Sequence, residues 1–118
     1  MAFNEFTSEI SEIILSKKGY DIKVLDLRKL TAIADYFVIC SADSDIQVKS
    51  IADEVNDVLR EKGIKCFHKE GYNALNWVLL DYFDVVVHVF KKDAREFYNL
   101  ERLWADAPFK IVEDKLEL

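Results

Sequence analysis

Two apolar runs, Trp77 to Leu80 and Val85 to Phe90, flank Asp81-Tyr82-Phe83-Asp84, and this spacing predicts a β-hairpin that constrains the chain more than any other stretch. A two-residue loop fixes the register of the strands it joins. On that count Asp81 faces Asp84, Leu80 faces Val85, Leu79 faces Val86, Val78 faces Val87 and Trp77 faces His88. Side chains alternate between faces with period two. One face therefore carries Val78, Leu80, Val85, Val87 and Val89, wholly apolar, and is core. The other carries Trp77, Leu79, Asp81, Asp84, Val86 and His88. Facing carboxylates destabilise a ladder unless a cation or solvent relieves them, and beside a tryptophan they suggest a basic visitor. Turn aspartates also serve local hydrogen bonds, so a solvated hairpin end with a packed tryptophan is the plainer reading of the same residues.

With 118 residues, 51% of them hydrophobic, one proline and three glycines, the chain suits one compact domain with a substantial core. The expected division is a single domain over residues 1–107 and a charged tail over 108–118. The formal charge of −6 argues against a phosphate backbone as main partner, because such affinity comes largely from Lys and Arg displacing counterions. Basic proteins are the better match. The first residues lack the pattern of a secretory leader, and no run approaches the roughly 18 apolar residues that span a bilayer. A cytoplasmic location is the expectation. Cys40 and Cys66 lie in or near apolar strand runs and read as small hydrophobes in a reducing compartment.

Phe3, Phe6, Ile10, Ile13 and Ile14 recur at helical spacing, with Thr7 and Ser8 near the start and Gly19 as the stop. Strands are predicted within DIKVLDL and at Tyr36 to Cys40. Ser44 and Gln47 form a capping-box pattern ahead of the stripe Val48, Ile51, Ala52, Val55, Val58 and Leu59, which Gly63 closes. A short strand within Lys65 to Glu70 precedes the hairpin, and a last helix carries Phe97, Leu100, Leu103 and Trp104, with Asp93 as cap and Pro108 as stop. The order predicts an α+β fold, α/β in the broad sense: a mixed sheet of about five strands with flanking helices. The passage across Ser44 to Gly63 permits one parallel pairing.

Metal binding is not expected, since two histidines and two cysteines are scattered without short ligand spacings. Cys40 and Ser41 end a strand without a glycine-lined elbow, which discounts a nucleophile. Asp81 and Asp84 could hold a divalent metal for nucleotidyl transfer. They are separated by two residues across a turn, and SADSD offers no glycine to let a backbone approach phosphate. The last helix carries more aromatic surface than a short helix needs; core packing is the plainer explanation, and self-association through Tyr98 and Trp104 the sharper one.

ADYFVICSADSDIQVKSIADEV, EGYNALNWVLLDYFDVVVHVF and REFYNLERLW, in this order and spacing, resemble the ribosomal silencing factor family, also called Iojap-like proteins. The resemblance runs from about Asp21 to Ala107. It implies a nucleotidyltransferase-like fold without retained catalysis and without a cofactor. It further implies binding to ribosomal protein L fourteen on the large ribosomal subunit, blocking subunit joining and lowering translation when nutrients are scarce, and a homodimer when free. Glu70 and Gly71 match the family's EG, Trp77 its tryptophan, and Asp81 and Asp84 the acids around its hairpin. Asp35, Ser44, His88, Arg95, Tyr98 and Trp104 also match. Where the family usually has glycine this chain has Phe83, and a phenylalanine at positive φ is strained or changes the loop. The expected partner-binding set is Glu70, Trp77, Leu79, Asp81 and Asp84. The rival from another class is a nucleotidyltransferase-like enzyme using Asp81 and Asp84 with a divalent metal; a third is a dimeric module for some other basic partner.

Overall fold

The computed structural model describes residues 4–113; Phe3 of the predicted first helix, and the tail beyond Glu113, lie outside them. Helix α1 (Glu5–Ser16) is capped by Asn4, whose side chain accepts from the Thr7 amide at 2.8 Å, so the cap stands just ahead of Thr7 and Ser8. Ile10, Ile13 and Ile14 are its buried stripe. At its end Lys18 takes the left-handed conformation, φ 70°, and Gly19 serves a different need. A Cβ at Gly19 would stand 2.3 Å from Ile14 Cγ2, so the glycine is there for space.

Strands β1 (Tyr20–Asp26) and β2 (Tyr36–Ala42) follow, then α2 (Asp45–Glu61). Ser44 Oγ accepts from the Gln47 amide at 3.2 Å, as the capping pattern predicts. Gln47 answers one residue further out than a standard box: its Oε1 accepts from the Asp43 amide at 2.7 Å, and its Nε2 donates to the Lys18 carbonyl at 2.9 Å. The start of α2 is thereby tied to the end of α1. Gly63, φ 84°, follows the helix end.

After β3 (His68–Glu70), β4 (Trp77–Asp81) and β5 (Val85–Lys91), the chain enters α3 (Lys92–Tyr98) and α4 (Leu100–Leu103) and finishes the described part in β6 (Phe109–Val112). The single terminal helix expected from the sequence is two short ones, because Asn99 adopts φ 48°, ψ 51° between them. Asp93 does not cap it: Lys91, the last residue of β5, is the N-cap, without a side-chain bond. The segment read as a charged tail supplies β6, a sixth strand, and the Pro108 carbonyl just ahead of it accepts from the Asp26 amide at 2.8 Å.

The α+β fold is thus built on a six-stranded mixed sheet in the order β3-β4-β5-β2-β1-β6. Among the described residues its one parallel pair is β2 with β5, in register from Tyr36 opposite Val85 to Ala42 opposite Lys91; the other pairings are antiparallel. The crossover therefore spans α2, β3 and β4 together, and is wider than the passage from Ser44 to Gly63. Every residue of β2 is buried, as expected of a central strand covered on both faces. One face packs Val24, Val38, Val78, Leu80, Val85, Val87 and Val89 under α1 and α2. The opposite face gathers Leu25, Phe37, Ile39, Val86 and Phe90 with Leu100, Trp104 and Ala107.

Candidate functional site

The two faces of the β4–β5 hairpin carry the residues that alternation assigns to them, but the register is shifted. Asp81 stands opposite Val86, Leu79 opposite His88 and Trp77 opposite Phe90, two positions from the predicted pairs. A shift of two preserves faces and changes neighbours. Its cause lies in the turn. Tyr82 donates its amide to the Val85 carbonyl at 2.9 Å, so the loop is Phe83-Asp84, and the Asp84 carbonyl accepts from the amides of Asp35 and Tyr36 at 2.8 and 3.0 Å. That anchor to the start of β2 keeps Asp84 out of the ladder. Asp81 and Asp84 consequently do not face each other, a correction to the sequence expectation.

Asp81 is used locally: its Oδ1 accepts from the Phe83 amide at 2.8 Å, the Asx pattern that stabilises turns. Phe83 takes φ 77°, the conformation a glycine adopts without steric cost. Its ring is 70% exposed and lies 5.7 Å from that of Phe67. The nucleotidyl-transfer alternative thus finds no paired grip here, and among the described residues no group of three or more His, Cys, Asp or Glu is placed to hold a metal ion.

Strand β3 pairs with β4, setting His68 opposite Asp81 and Glu70 opposite Leu79. Directly opposed residues share a face, so Glu70, Trp77, Leu79 and Asp81 all lie on the face away from α1 and α2. His68 joins them, with its Nε2 2.5 Å from Glu70 Oε2. Glu70 is exposed, and Trp77, Leu79 and Asp81 are half-buried. Four of the five expected partner-binding residues therefore form one acidic and apolar strip at the sheet edge; Asp84 stands apart in the loop. Gly71, φ 94°, passes so close beneath the strip that a Cβ would meet the Trp77 carbonyl oxygen at 1.9 Å.

Trp77 is held on three sides. Its ring stacks on Phe90 at 4.8 Å between centroids and approaches Tyr98 at 5.1 Å, while its Nε1 donates to His88 Nδ1 at 3.0 Å. The predicted direct pairing of Trp77 with His88 is replaced by a diagonal contact, within reach for long side chains across a ladder. Burial pushes the His88 pKa down to about 3.

Tyr98, 51% exposed, borders Trp77. Trp104 is half-buried with its edge against Phe37, 5.9 Å between centroids, so much of it serves packing. What sequence reading missed is the device that holds α3 and α4 down. Arg95 donates to Ser41 Oγ at 2.8 Å and to the Asp21 carbonyl at 2.6 Å, and grips both oxygens of Glu101 at 2.9 and 3.2 Å. Asp21, φ 50°, lies where the β1–β2 register shifts. The Arg95 guanidinium holds the Glu101 carboxyl below its ordinary pKa, with help from Lys23. Opposite charges six residues apart across Asn99 were the signal available for this clamp. Cys40 and Cys66 are free thiols; burial pushes Cys40 up to about 12. No helix among the described residues is long and apolar enough to cross a membrane.

Residues 2–117 match the family described as ribosomal silencing factor during starvation. A protein of Bacillus subtilis named ribosomal silencing factor RsfS is 51% identical over 97 residues, 82% of each chain. The chloroplastic protein Iojap of Zea mays is 36% identical over 113 residues, 92% of this chain and 48% of that protein. A crystal structure of a Chromobacterium violaceum protein superposes with a TM-score of 0.84 at 33% identity, covering 99% of this chain and 98% of the other.

Proposed function

The chain belongs to the family described as ribosomal silencing factor during starvation, and from that premise we propose that it represses translation by binding ribosomal protein L fourteen on the large ribosomal subunit. Occupying that protein keeps the small subunit from joining. The act is steric, and no bond is made or broken. The observation that carries this reading is the partly open strip of Glu70, Trp77, Leu79 and Asp81 on one face of the β3–β4 edge. Its carboxylates suit Lys or Arg of a basic protein, and the half-buried Trp77 and Leu79 suit the apolar anchors that dominate interface energies. Free in the cytoplasm, the chain pairs with a second copy through the side bearing Tyr98 and Trp104.

Cosedimentation with purified large subunits tests the reading. Trp77→Ala is expected to weaken binding by about 2 kcal/mol or more. Because Trp77 also stacks on Phe90 and bonds His88, that substitution lowers stability too. Glu70→Lys supplies the cleaner arm: the side chain is exposed, so the urea midpoint should hold while binding weakens by about 1 kcal/mol or more. If both variants cosediment like the parent chain, the strip is not the docking surface.

A further inference from the structure

His88 Nδ1 accepts from the Trp77 indole at 3.0 Å, so in the neutral ring the proton belongs to Nε2, an assignment that follows from the bond network. Nε2 is buried and has no hydrogen-bond partner among the described residues. An imidazole with one nitrogen left unpaired is a poor choice for packing alone, since buried unpaired donors are costly. The ring sits 4.4 Å from Phe37, is 3% exposed, and stands opposite Leu79 on β4 and Ile39 on β2. An apolar side chain would fill this place without the orphan. What the histidine supplies is the acceptor on its other nitrogen, aimed at the one polar atom of the Trp77 side chain.

We infer that His88 is a positioning residue, which fixes the orientation of the Trp77 indole through the Nε1 to Nδ1 bond and so presents Trp77 in one pose on the docking strip. The inference deepens the proposed function and rests on Trp77 being an anchor there. The other tautomer, or the protonated ring, would set two N–H groups against each other. Burial, which pushes the pKa to about 3, keeps the accepting form in place near neutrality. Stacking on Phe90 and contact with Tyr98 limit the plane of the indole, and the hydrogen bond selects which edge points inward. An anchor held in one pose in the free protein loses less freedom on association.

Two substitutions separate positioning from packing. His88→Leu removes the acceptor and also the orphaned N–H, whereas His88→Asn places a carbonyl oxygen near the position of Nδ1. Affinity for purified large subunits is expected to fall about tenfold in His88→Leu without a matching fall in the urea midpoint, and to recover in His88→Asn. Hydrogen exchange of the Trp77 indole N–H provides an arm that needs no ribosome, with the resonance identified by its loss in Trp77→Phe. Exchange should be slow in the parent chain and His88→Asn, and about tenfold or more faster in His88→Leu. Equal exchange in the parent and His88→Leu overturns the inference, as does affinity that merely tracks stability across the two variants. A parent chain that ignores the large subunit overturns the proposed function, and indole exchange then decides the role of His88 by itself.

Discussion

One sheet carries two unlike faces. Under α1 and α2, Ile10, Ile14, Ile51, Val55, Leu59, Val78, Leu80 and Val87 are all 0% exposed, a mainly aliphatic layer that also buries Tyr36 and Tyr82 and is closed by helices of 12 and 17 residues. On the other side Phe37, Trp77, His88, Phe90 and Trp104 form an aromatic layer. Its cover is two helices of 7 and 4 residues, neither with a buried residue. Shape-matched aliphatic packing under long helices gives stability. Short helices leave Trp77 and Leu79 half-open, and the polar edge of the Trp77 ring finds its partner atom in His88. The first face makes the fold; the second can meet another molecule.

The comparison is broken most directly by adjacent leucines on opposite faces. Leu80→Ala is expected to cost about 2–5 kcal/mol in urea unfolding, and Leu79→Ala roughly half of that or less. Equal losses would mean that the second face is as closed as the first. Acid sharpens the contrast next. The folded pKa of His88, about 3, lies below the unfolded value near 6.5. The unfolded chain therefore binds the extra proton, and this contribution is full above about pH 6.5 and is lost as pH falls toward 3. Between pH 6.5 and 4.5 the parent should lose roughly 2 kcal/mol from this group, and His88→Leu should lack that component when the two unfolding profiles are compared. The smallest effect belongs to the turn. Phe83→Gly relieves a positive φ but frees the unfolded chain, so stability should change by less than about 1 kcal/mol. A larger loss in urea would show that the exposed Phe67–Phe83 contact contributes more than its position suggests.

How much of this was legible follows from where each signal resides. The stripes of α1 and α2 and the Ser44 cap depend on neighbours three or four residues away, so spacing alone reveals them. The faces of the hairpin were equally plain, since alternation survives any even shift. Register was not, because it is decided by the Asp84 carbonyl bonding to Asp35 and Tyr36, far away in sequence. The break at Asn99 is a single-residue conformation inside an otherwise helical pattern. Strand β6 hid in a mixed run, Phe-Lys-Ile-Val, whose pairing along β1 only the closed sheet makes available. Of the expected binding residues, alternation brought Trp77, Leu79 and Asp81 together and β3 added Glu70. Asp84 was misplaced with the register.

The parallel seam between β2 and β5 has a kinetic side. Tyr36 meets Val85, 49 positions further along the chain, so the two most buried strands stay apart until everything between them exists. Closing so long a loop before any central contact rewards it slows folding. A nascent chain must therefore emerge past Lys91 before its middle can zip, and until then the apolar edge of β2 is the segment most in need of shielding from its neighbours.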